Sequence, residues 1–441
     1  MNMAQKADNH LSVAIVGGGL GGVALAIGLL CHGISTHIYE AAAGFGEIGA
    51  GIMHGTNSVR AIGLISPDML NAFKKCATYN TNPAKENTFM EHRYGTDSKN
   101  GNGKKSGDSI CDVQTDLPEH RWTGTKAMTS VHRARFLDEI VKIIPEGTAS
   151  FRKVLVDIVE SEDGVRLYFA DGSQAEASTV IGCDGIKSKT REVLFRNTTP
   201  VVPQYSGVYA YRSLVPRDIA LHVLGEDLAT NGSLWMGYGG YWITYPVDHG
   251  EYLNVVAMPR KEDWQVTVEN LVLPGTREDL LKDWVGWDSR LLKLSEHFQS
   301  YNRWAIFDLI HDERYFKGRI CLLGDSAHAS SPHMGAGAGM AMEDAYILSN
   351  LLAAVKDSSD LERAFEAYDS VRRPRSQNLV KLSREAAQVS ELAAPGILDN
   401  FEALKHHSDQ RYRWIWNVDL EAQLEEAKQI MNKHIAHSIP T

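Results

Sequence analysis

The sequence predicts an α/β fold, in which a parallel-sheet domain receives an inserted antiparallel sheet and the chain ends in helices. Three observations predict it. A buried-type strand run followed at once by a glycine turn and a helix occurs three times, with the turns at Gly17, Gly185 and Gly324. Residues 201–259 crowd Tyr205, Tyr209, Tyr211, Trp235, Tyr238, Tyr241, Trp242, Tyr245 and Tyr252 into three or four β runs broken by glycine. Beyond Ser359 the pattern is helical and amphipathic, with Trp414 and Trp416 as anchors of a terminal helical piece.

The first turn organises the rest. Ser12-Val13-Ala14-Ile15-Val16 is a short apolar run, and Gly17-Gly18-Gly19-Leu20-Gly21-Gly22 follows it, setting G-x-G-x-x-G at Gly17, Gly19 and Gly22. Gly17 permits the sharp turn, Gly19 lets a pyrophosphate meet bare backbone, and Gly22 lets the helix pack close to its strand. The helix over 23–31 aims its free N–H groups and positive dipole end at the anion. A second strand, Thr36-His37-Ile38-Tyr39, ends at Glu40, whose acid suits the ribose hydroxyls of an adenosine. The order strand, turn, helix, strand, acid makes this a Rossmann-like dinucleotide unit. Six glycines and the charged strand that follows argue against reading 13–31 as a membrane span.

The segment 42–51 is a glycine-rich loop against which a planar ligand could lie, or a plain loop before a helix capped by Asn57. A helix follows over 67–76. Residues 97–108 read as an exposed, mobile loop with Lys104 and Lys105 solvated. Ser130 caps a helix in which Arg133 sits in the first turn, where a cation is unfavourable unless an anion is near. Residues 151–177 alternate as two or three strands with an Asp171-Gly172 hairpin turn. The second glycine turn runs from Cys183-Asp184-Gly185 to a helix capped by Ser188.

Arg212 interrupts the first aromatic strand, where a half-buried guanidinium needs a carboxylate that a substrate could supply. The third turn, Gly324-Asp325-Ser326-Ala327-His328, leads through Ser331-Pro332-His333-Met334 and Gly335-Ala336-Gly337-Ala338-Gly339 to a helix over 340–353. A proline and small residues at a helix start expose backbone N–H groups. Taken singly, His328 and His333 read as packed polar residues.

Bulk composition bounds the partners. The chain has 441 residues, 43% hydrophobic and 23% charged, with a formal net charge of −10. That is ordinary soluble composition, long enough for two or three domains, and the acidic balance opposes nucleic acid or an anionic membrane as partner. A small molecule is expected. Cys31, Cys76, Cys111, Cys183 and Cys321 are scattered and lack zinc spacing, so they are expected as reduced, mostly buried thiols with no metal site. The polar residues 1–11 carry no secretion signal, and the C-terminal residues match no address signal, so a cytoplasmic enzyme is expected.

The ordered set of three turns resembles the flavoprotein aromatic hydroxylases of the p-hydroxybenzoate hydroxylase fold, across nearly the whole chain. Within that family the salicylate hydroxylases are most similar, on Phe45-Gly46-Glu47-Ile48-Gly49-Ala50-Gly51, Ser130-Val131-His132-Arg133, Ala210-Tyr211-Arg212, Tyr245-Pro246-Val247, 332–339, Tyr368, Arg372-Arg373-Pro374-Arg375 and 414–420. The resemblance implies FAD as cofactor, NADH or NADPH as transient co-substrate and O2 as oxidant. It implies FAD contacts from Gly17, Gly19, Leu20, Gly22, Glu40 and Ala41, then from Gly51, Arg133 and Leu155. It adds Asp184, Gly185 and Asp325, and finally Pro332, Gly335, Ala336, Gly337 and Ala338. Arg212, Tyr245 and His333 are the implied substrate-handling set, with Arg212 on a carboxylate and Tyr245 or His333 at the phenol.

The implied reaction is hydroxylation of a phenolic acid through a flavin 4a-hydroperoxide, salicylate giving catechol with loss of carbon dioxide. A fungal-type phenol dearomatase or a hydroxylase of another hydroxybenzoate are the alternatives, and a non-catalytic nucleotide sensor or an NAD dehydrogenase are rivals of other classes. The implied division is 10–75, 121–197 and 296–385 for the FAD-binding domain and 76–120 for a substrate-side segment. The substrate sheet is 198–295, the helical end 386–441, and the assembly a monomer or homodimer.

Overall fold

The computed structural model describes residues 11–46, 51–100, 102–115, 123–357 and 360–436. Its strands, in chain order, are β1 (Ser12–Val16), β2 (Ser35–Glu40), β3 (Gly51–His54), β4 (Thr88–Tyr94), β5 (Ser109–Gln114), β6 (Thr129–His132) and β7 (Ala149–Phe151). There follow β8 (Leu155–Glu160), β9 (Val165–Phe169), β10 (Gln174–Ala177), β11 (Thr179–Gly182), β12 (Gln204–Pro216), β13 (Ser233–Gly237), β14 (Gly240–Val247) and β15 (Tyr252–Pro259). The last are β16 (Val272–Leu273), β17 (Arg303–Asp308), β18 (Phe316–Lys317) and β19 (Ile320–Leu322).

The three strands that precede the glycine turns lie side by side. The first sheet has the order β18-β19-β11-β1-β2-β7, parallel except for β18. Helices Leu20–Cys31 and Gly337–Ala353 pack against it around one core of aliphatic side chains that includes the fully buried Ile15, Val23, Ile181, Leu322 and Ile347. Because all three strands are parallel neighbours, their C-terminal ends and the turns that follow share one edge of the sheet.

The second sheet is eight-stranded, β16-β17-β12-β15-β14-β13-β4-β5, antiparallel except where β13 meets β4. It draws β4 and β5 from before the Rossmann-like strand β11 and β17 from beyond the aromatic window. Alternation along each strand splits its side chains between two faces. On the back, Tyr211, Trp235, Trp242, Leu253 and Val255 pack on helices Arg217–Leu224, Arg277–Asp283 and Ser289–Ser295. On the front, Ala210, Leu234, Met236, Tyr241, Tyr245 and Met258 form a separate cluster with Met53, Met334 and Met340 of the first domain. The β8–β10 hairpins, with Gly172 at φ +82°, match the alternation of 151–177.

Several local expectations are corrected. Ser130 caps no helix: Thr129–His132 is strand β6, paired with β3, and the Ser130 hydroxyl donates to the Pro246 carbonyl (2.5 Å). The helix starts at Arg133 after His132. Asn57 is not a cap either, because helix Thr56–Ile65 begins after Gly55 and the Asn57 amide donates to Glu343 Oε1 (2.7 Å). Helices predicted from residues 23 and 340 begin three residues earlier, at Leu20 and Gly337. All five thiols are free, but only Cys76 and Cys321 are buried, and Cys31 is exposed. The 97–108 loop is tied down where it is described, with Ser98 Oγ and the Lys99 and Asn100 N–H groups donating to the Asp399 carboxylate. Lys104 stacks over Phe401 at 4.3 Å, and Lys105 pairs with Asp97 (2.8 Å). Glu47, Ile48, Gly49, Ala50, Ser359 and both chain ends lie outside the described residues.

Candidate active site

The shared sheet edge is lined with backbone that no side chain could replace. Gly17 has φ +106°, and a Cβ there would lie 2.4 Å from the Cys183 carbonyl oxygen, so the first and second turns touch. A Cβ at Gly22 would meet the Gly17 carbonyl at 2.1 Å. The helix Leu20–Cys31 begins without a side-chain cap, and so does Gly337–Ala353, which follows Gly335 at φ +59°. Uncapped N–H groups on long helices beside a glycine cradle suit a pyrophosphate and an electron-rich ring edge. Leu20 itself is 5% exposed, so what it offers at that edge is its backbone.

Glu40 closes the first turn: its carboxylate accepts from the Gly18 N–H (2.6 Å) and the Ala42 N–H (2.7 Å), with Ala41 exposed between. Lys153 N–H donates to the Glu40 carbonyl (2.8 Å), which brings the chain to Leu155 two residues on. In the second turn the Asp184 carboxylate is raised by burial and accepts from Ser188 Oγ (2.5 Å), Thr190 N–H (2.9 Å) and Thr190 Oγ1 (3.0 Å). It therefore shapes its own turn, leaving Gly185 at φ +71° facing open space. Arg191 then spans to the third turn, donating to the Ser326 (3.0 Å) and Ile186 (2.6 Å) carbonyls. Asp325 is exposed at that turn, beside Gly324 at φ +68°.

Beneath the third turn lies a buried ion network. Arg372 donates to Glu343 (2.6 Å) and Asp344 (2.8 Å), all three fully buried, and Arg375 adds two bonds to Glu343. Asp344 also accepts from His328 (2.6 Å) and the Gly324 N–H (3.2 Å). Burial alone would raise the Asp344 carboxyl, but His328 and Arg372 outweigh it and hold it at about 2. His328 is thus a packed polar residue.

The substrate-handling set sits on or against the front of the second sheet. Gly51 joins the two domains: its N–H donates to Asn254 Oδ1 (3.2 Å) and its carbonyl accepts from the Tyr245 hydroxyl (2.7 Å). A Cβ on Gly51 would lie 2.7 Å from Val247 and 2.8 Å from Tyr245. Burial pushes the Tyr245 phenol well up, against the pull of Arg212, so it stays protonated and orients rather than accepts a proton. Arg212 lies flat over Trp304, 3.6 Å from the ring centroid, and makes no ion pair among the described residues. Burial and the Arg133 charge push it down to about 10, which leaves it a cation at neutral pH. His333 is 6% exposed, its Nδ1 is bonded to the Tyr241 hydroxyl, and its Nε2 has no partner among the described residues. Burial, then Arg260 and Arg411, lower it to about 3, so the imidazole is neutral.

Sequence reading missed Trp304 and Asn254. Asn254 is a lone polar residue inside an apolar strand run, which was a usable signal; Trp304 carried none, because its stacking depends on the β12–β17 pairing.

Residues 257–383 match a FAD binding domain family. A 6-methylsalicylate 1-monooxygenase of Aspergillus terreus is 38% identical over 95% of this chain and 92% of its own length. The chain belongs to the FAD-dependent aromatic monooxygenases. Among the members of that family, a salicylate hydroxylase of Pseudomonas putida is 34% identical over 95% of both chains. The solved structure of a salicylate hydroxylase substrate complex superposes with a TM-score of 0.82 at 31% identity, covering 96% of this chain and 98% of that one. As a flavoprotein monooxygenase the chain uses FAD, with NADH or NADPH as reductant and O2 as oxidant. The glycine turns fit FAD, since a Cβ at Gly17 or Gly22 would strike backbone, and Gly185, Gly324 and Gly335 all stand at positive φ. No helix among the described residues is long and apolar enough to cross a membrane.

Proposed function

We propose that the protein hydroxylates a phenolic acid of the salicylate class, converting it to a catechol with loss of carbon dioxide. The observation that carries this reading is Arg212, a cation without an ion-pair partner among the described residues, on an apolar sheet face that meets the nucleotide-binding domain. FAD supplies the chemistry of reduction by NADH or NADPH and of oxygen activation. Gly17, Gly19, Leu20 and Gly22 would hold its pyrophosphate, and Glu40 and Ala41 its adenosine ribose. Arg133, Leu155, Asp184, Gly185 and Asp325 would border the rest of the chain. Gly51 would lie beside the ring, and Pro332, Gly335, Ala336, Gly337 and Ala338 would turn their backbone toward its electron-rich edge.

Arg212 binds the substrate carboxylate, and its charge also lowers the cost of ionising the neighbouring phenol. Tyr245, whose proton is committed to the Gly51 carbonyl, accepts a hydrogen bond and fixes the ring. His333 handles the phenol proton at Nε2, being neutral and anchored through Nδ1. The aliphatic side chains Ile243 and Val256 exclude water around them. The division into 10–75, 121–197 and 296–385 against 76–120, 198–295 and 386–441 belongs to the same reading.

The test is to purify the protein, record a flavin spectrum, and follow NADH and NADPH oxidation with salicylate, 6-alkylsalicylates and other hydroxybenzoates. Catechol and carbon dioxide formed in equal amounts from a salicylate support the reading. A hydroxylated product that keeps its carboxylate overturns the decarboxylation.

A further inference from the structure

Arg411 follows helix Phe401–Gln410 and is 7% exposed. Its Nε, Nη1 and Nη2 atoms are all buried, and none has a hydrogen-bond partner among the described residues. A guanidinium taken out of water without a counter-charge is costly, so such a group is retained where an anion meets it. Two further buried atoms in the same surroundings have no partner among the described residues, His92 Nε2 and His333 Nε2. Both rings are anchored on the other side, His92 Nδ1 to Ser408 Oγ (2.8 Å) and His333 Nδ1 to the Tyr241 hydroxyl. Ser408 lies one helical turn before Arg411, so this bond pins the Arg411 end of the helix to β4. The charge of Arg411 acts on His92, Tyr241 and His333 alike. Glu391, whose charge also acts on Tyr241, is held by Arg260 through Oε2, and its Oε1 has no partner among the described residues.

Strand register relates this cluster to Arg212. Arg212 stands opposite Val256, Val256 opposite Ile243, Ile243 opposite Leu234, and Leu234 opposite His92. Residues paired across a ladder share a face. The row therefore has an arginine at one end, three aliphatic residues in the middle and His92 at the other end. Four strand spacings of about 4.8 Å separate the end Cα atoms by roughly 19 Å. The Arg212 guanidinium stacks over Trp304 on the neighbouring β17, so the row itself is an apolar floor with a basic group at each end.

We propose that Arg411, with the Nε2 edge of His92 beside it, is a second anion-receiving pole of the substrate chamber. The preferred substrate then carries a second acidic oxygen substituent, remote from the carboxylate held by Arg212. The proposal rests on the reading that the substrate ring lies on this row. Arg411 positions substrate and takes no part in the oxygen chemistry.

The experiment titrates the FAD-bound enzyme with salicylate, 2-hydroxyterephthalate and 4-hydroxyisophthalate, following the flavin fluorescence, in wild type, R411Q and R411K. Wild type should bind at least one dicarboxylate tenfold or more tightly than salicylate. R411Q should lose at least tenfold more affinity for that dicarboxylate than for salicylate, and R411K should recover part of the difference. Equal losses for all three ligands, or no dicarboxylate preference in wild type, overturn the second pole. Should R411Q fail to retain FAD, the wild-type preference and R411K decide on the same terms. The underlying reading fails separately, if Arg212→Ala leaves salicylate binding intact.

Discussion

Tyr211 and Arg212 are neighbours in sequence and opposites in circumstance. Tyr211 points to the back of the eight-stranded sheet, where its hydroxyl and that of Tyr209 both end on Asp283 (2.7 and 2.5 Å) among packed tryptophans. Arg212 points to the front, where its charge meets an indole face and no carboxylate among the described residues. On the back the carboxylate is answered within the protein; on the front, in the proposed reading, a substrate carboxylate answers the guanidinium. Aromatic richness, shared by both faces, does not distinguish them. The disposition of charge does: Asp283 on the back accepts from two tyrosine hydroxyls, whereas Arg212 on the front meets no carboxylate among the described residues.

That contrast can be broken at four points. The largest effect is expected at the back: Trp242→Ala removes a fully buried ring packed on Trp284 and should cost about 3–5 kcal/mol of stability by denaturant unfolding. Its substrate KM should hold at temperatures where the variant is folded; a KM change larger than the stability loss would mean that the faces are not separable. Next, Arg212→Ala should keep its FAD and melting temperature while salicylate affinity falls by about 3 kcal/mol, read by titration. Unchanged affinity refutes its assignment.

The third point is pH. His333 has a folded pKa of about 3 against about 6.5 when unfolded, so the unfolded chain binds the extra proton first. Its contribution to stability is complete above pH 6.5 and is lost as pH falls from there toward 3, by at most about 1.4 kcal/mol per unit. Histidines 54 and 407, both lowered to about 4 with burial as the first cause, slope the same way. His333→Gln should flatten the acid limb of a stability profile, and an unaltered limb would show that the imbalance lies elsewhere. The smallest effect is expected for Tyr211→Phe, about 1 kcal/mol of stability with substrate kinetics unmoved; a raised KM would argue that the back face reaches the chamber.

The glycine turns were legible in the sequence because each is a local device: strand, tight turn and helix lie within twenty residues, and Gly17 and Gly22 have no alternative at their positions. The family resemblance ordered them. What could not be read was whatever long-range pairing decides. Ser130 has the residues of a cap, but β6 finds β3 far upstream and takes it into a strand. Asn57 likewise spends its amide on Glu343, 286 residues away. Arg411 sits in a tail segment whose local pattern is only amphipathic, and the helix before it is tied through Ser408 to His92 of β4, far upstream in the chain. Arg212 was legible as an anomaly, whereas Trp304 beneath it was not.

The ion network under the third turn makes the late part of the chain indispensable to the nucleotide end. Glu343 and Asp344 are anionic and wholly enclosed, and the guanidiniums that neutralise them, Arg372 and Arg375, come from helix Asp360–Ser390. A protease cut that frees that helix would strand two negative charges directly below Gly324 and the loop beside it. The molecule therefore cannot be trimmed to a free-standing dinucleotide module, and limited digestion should release the flavin as soon as this helix departs.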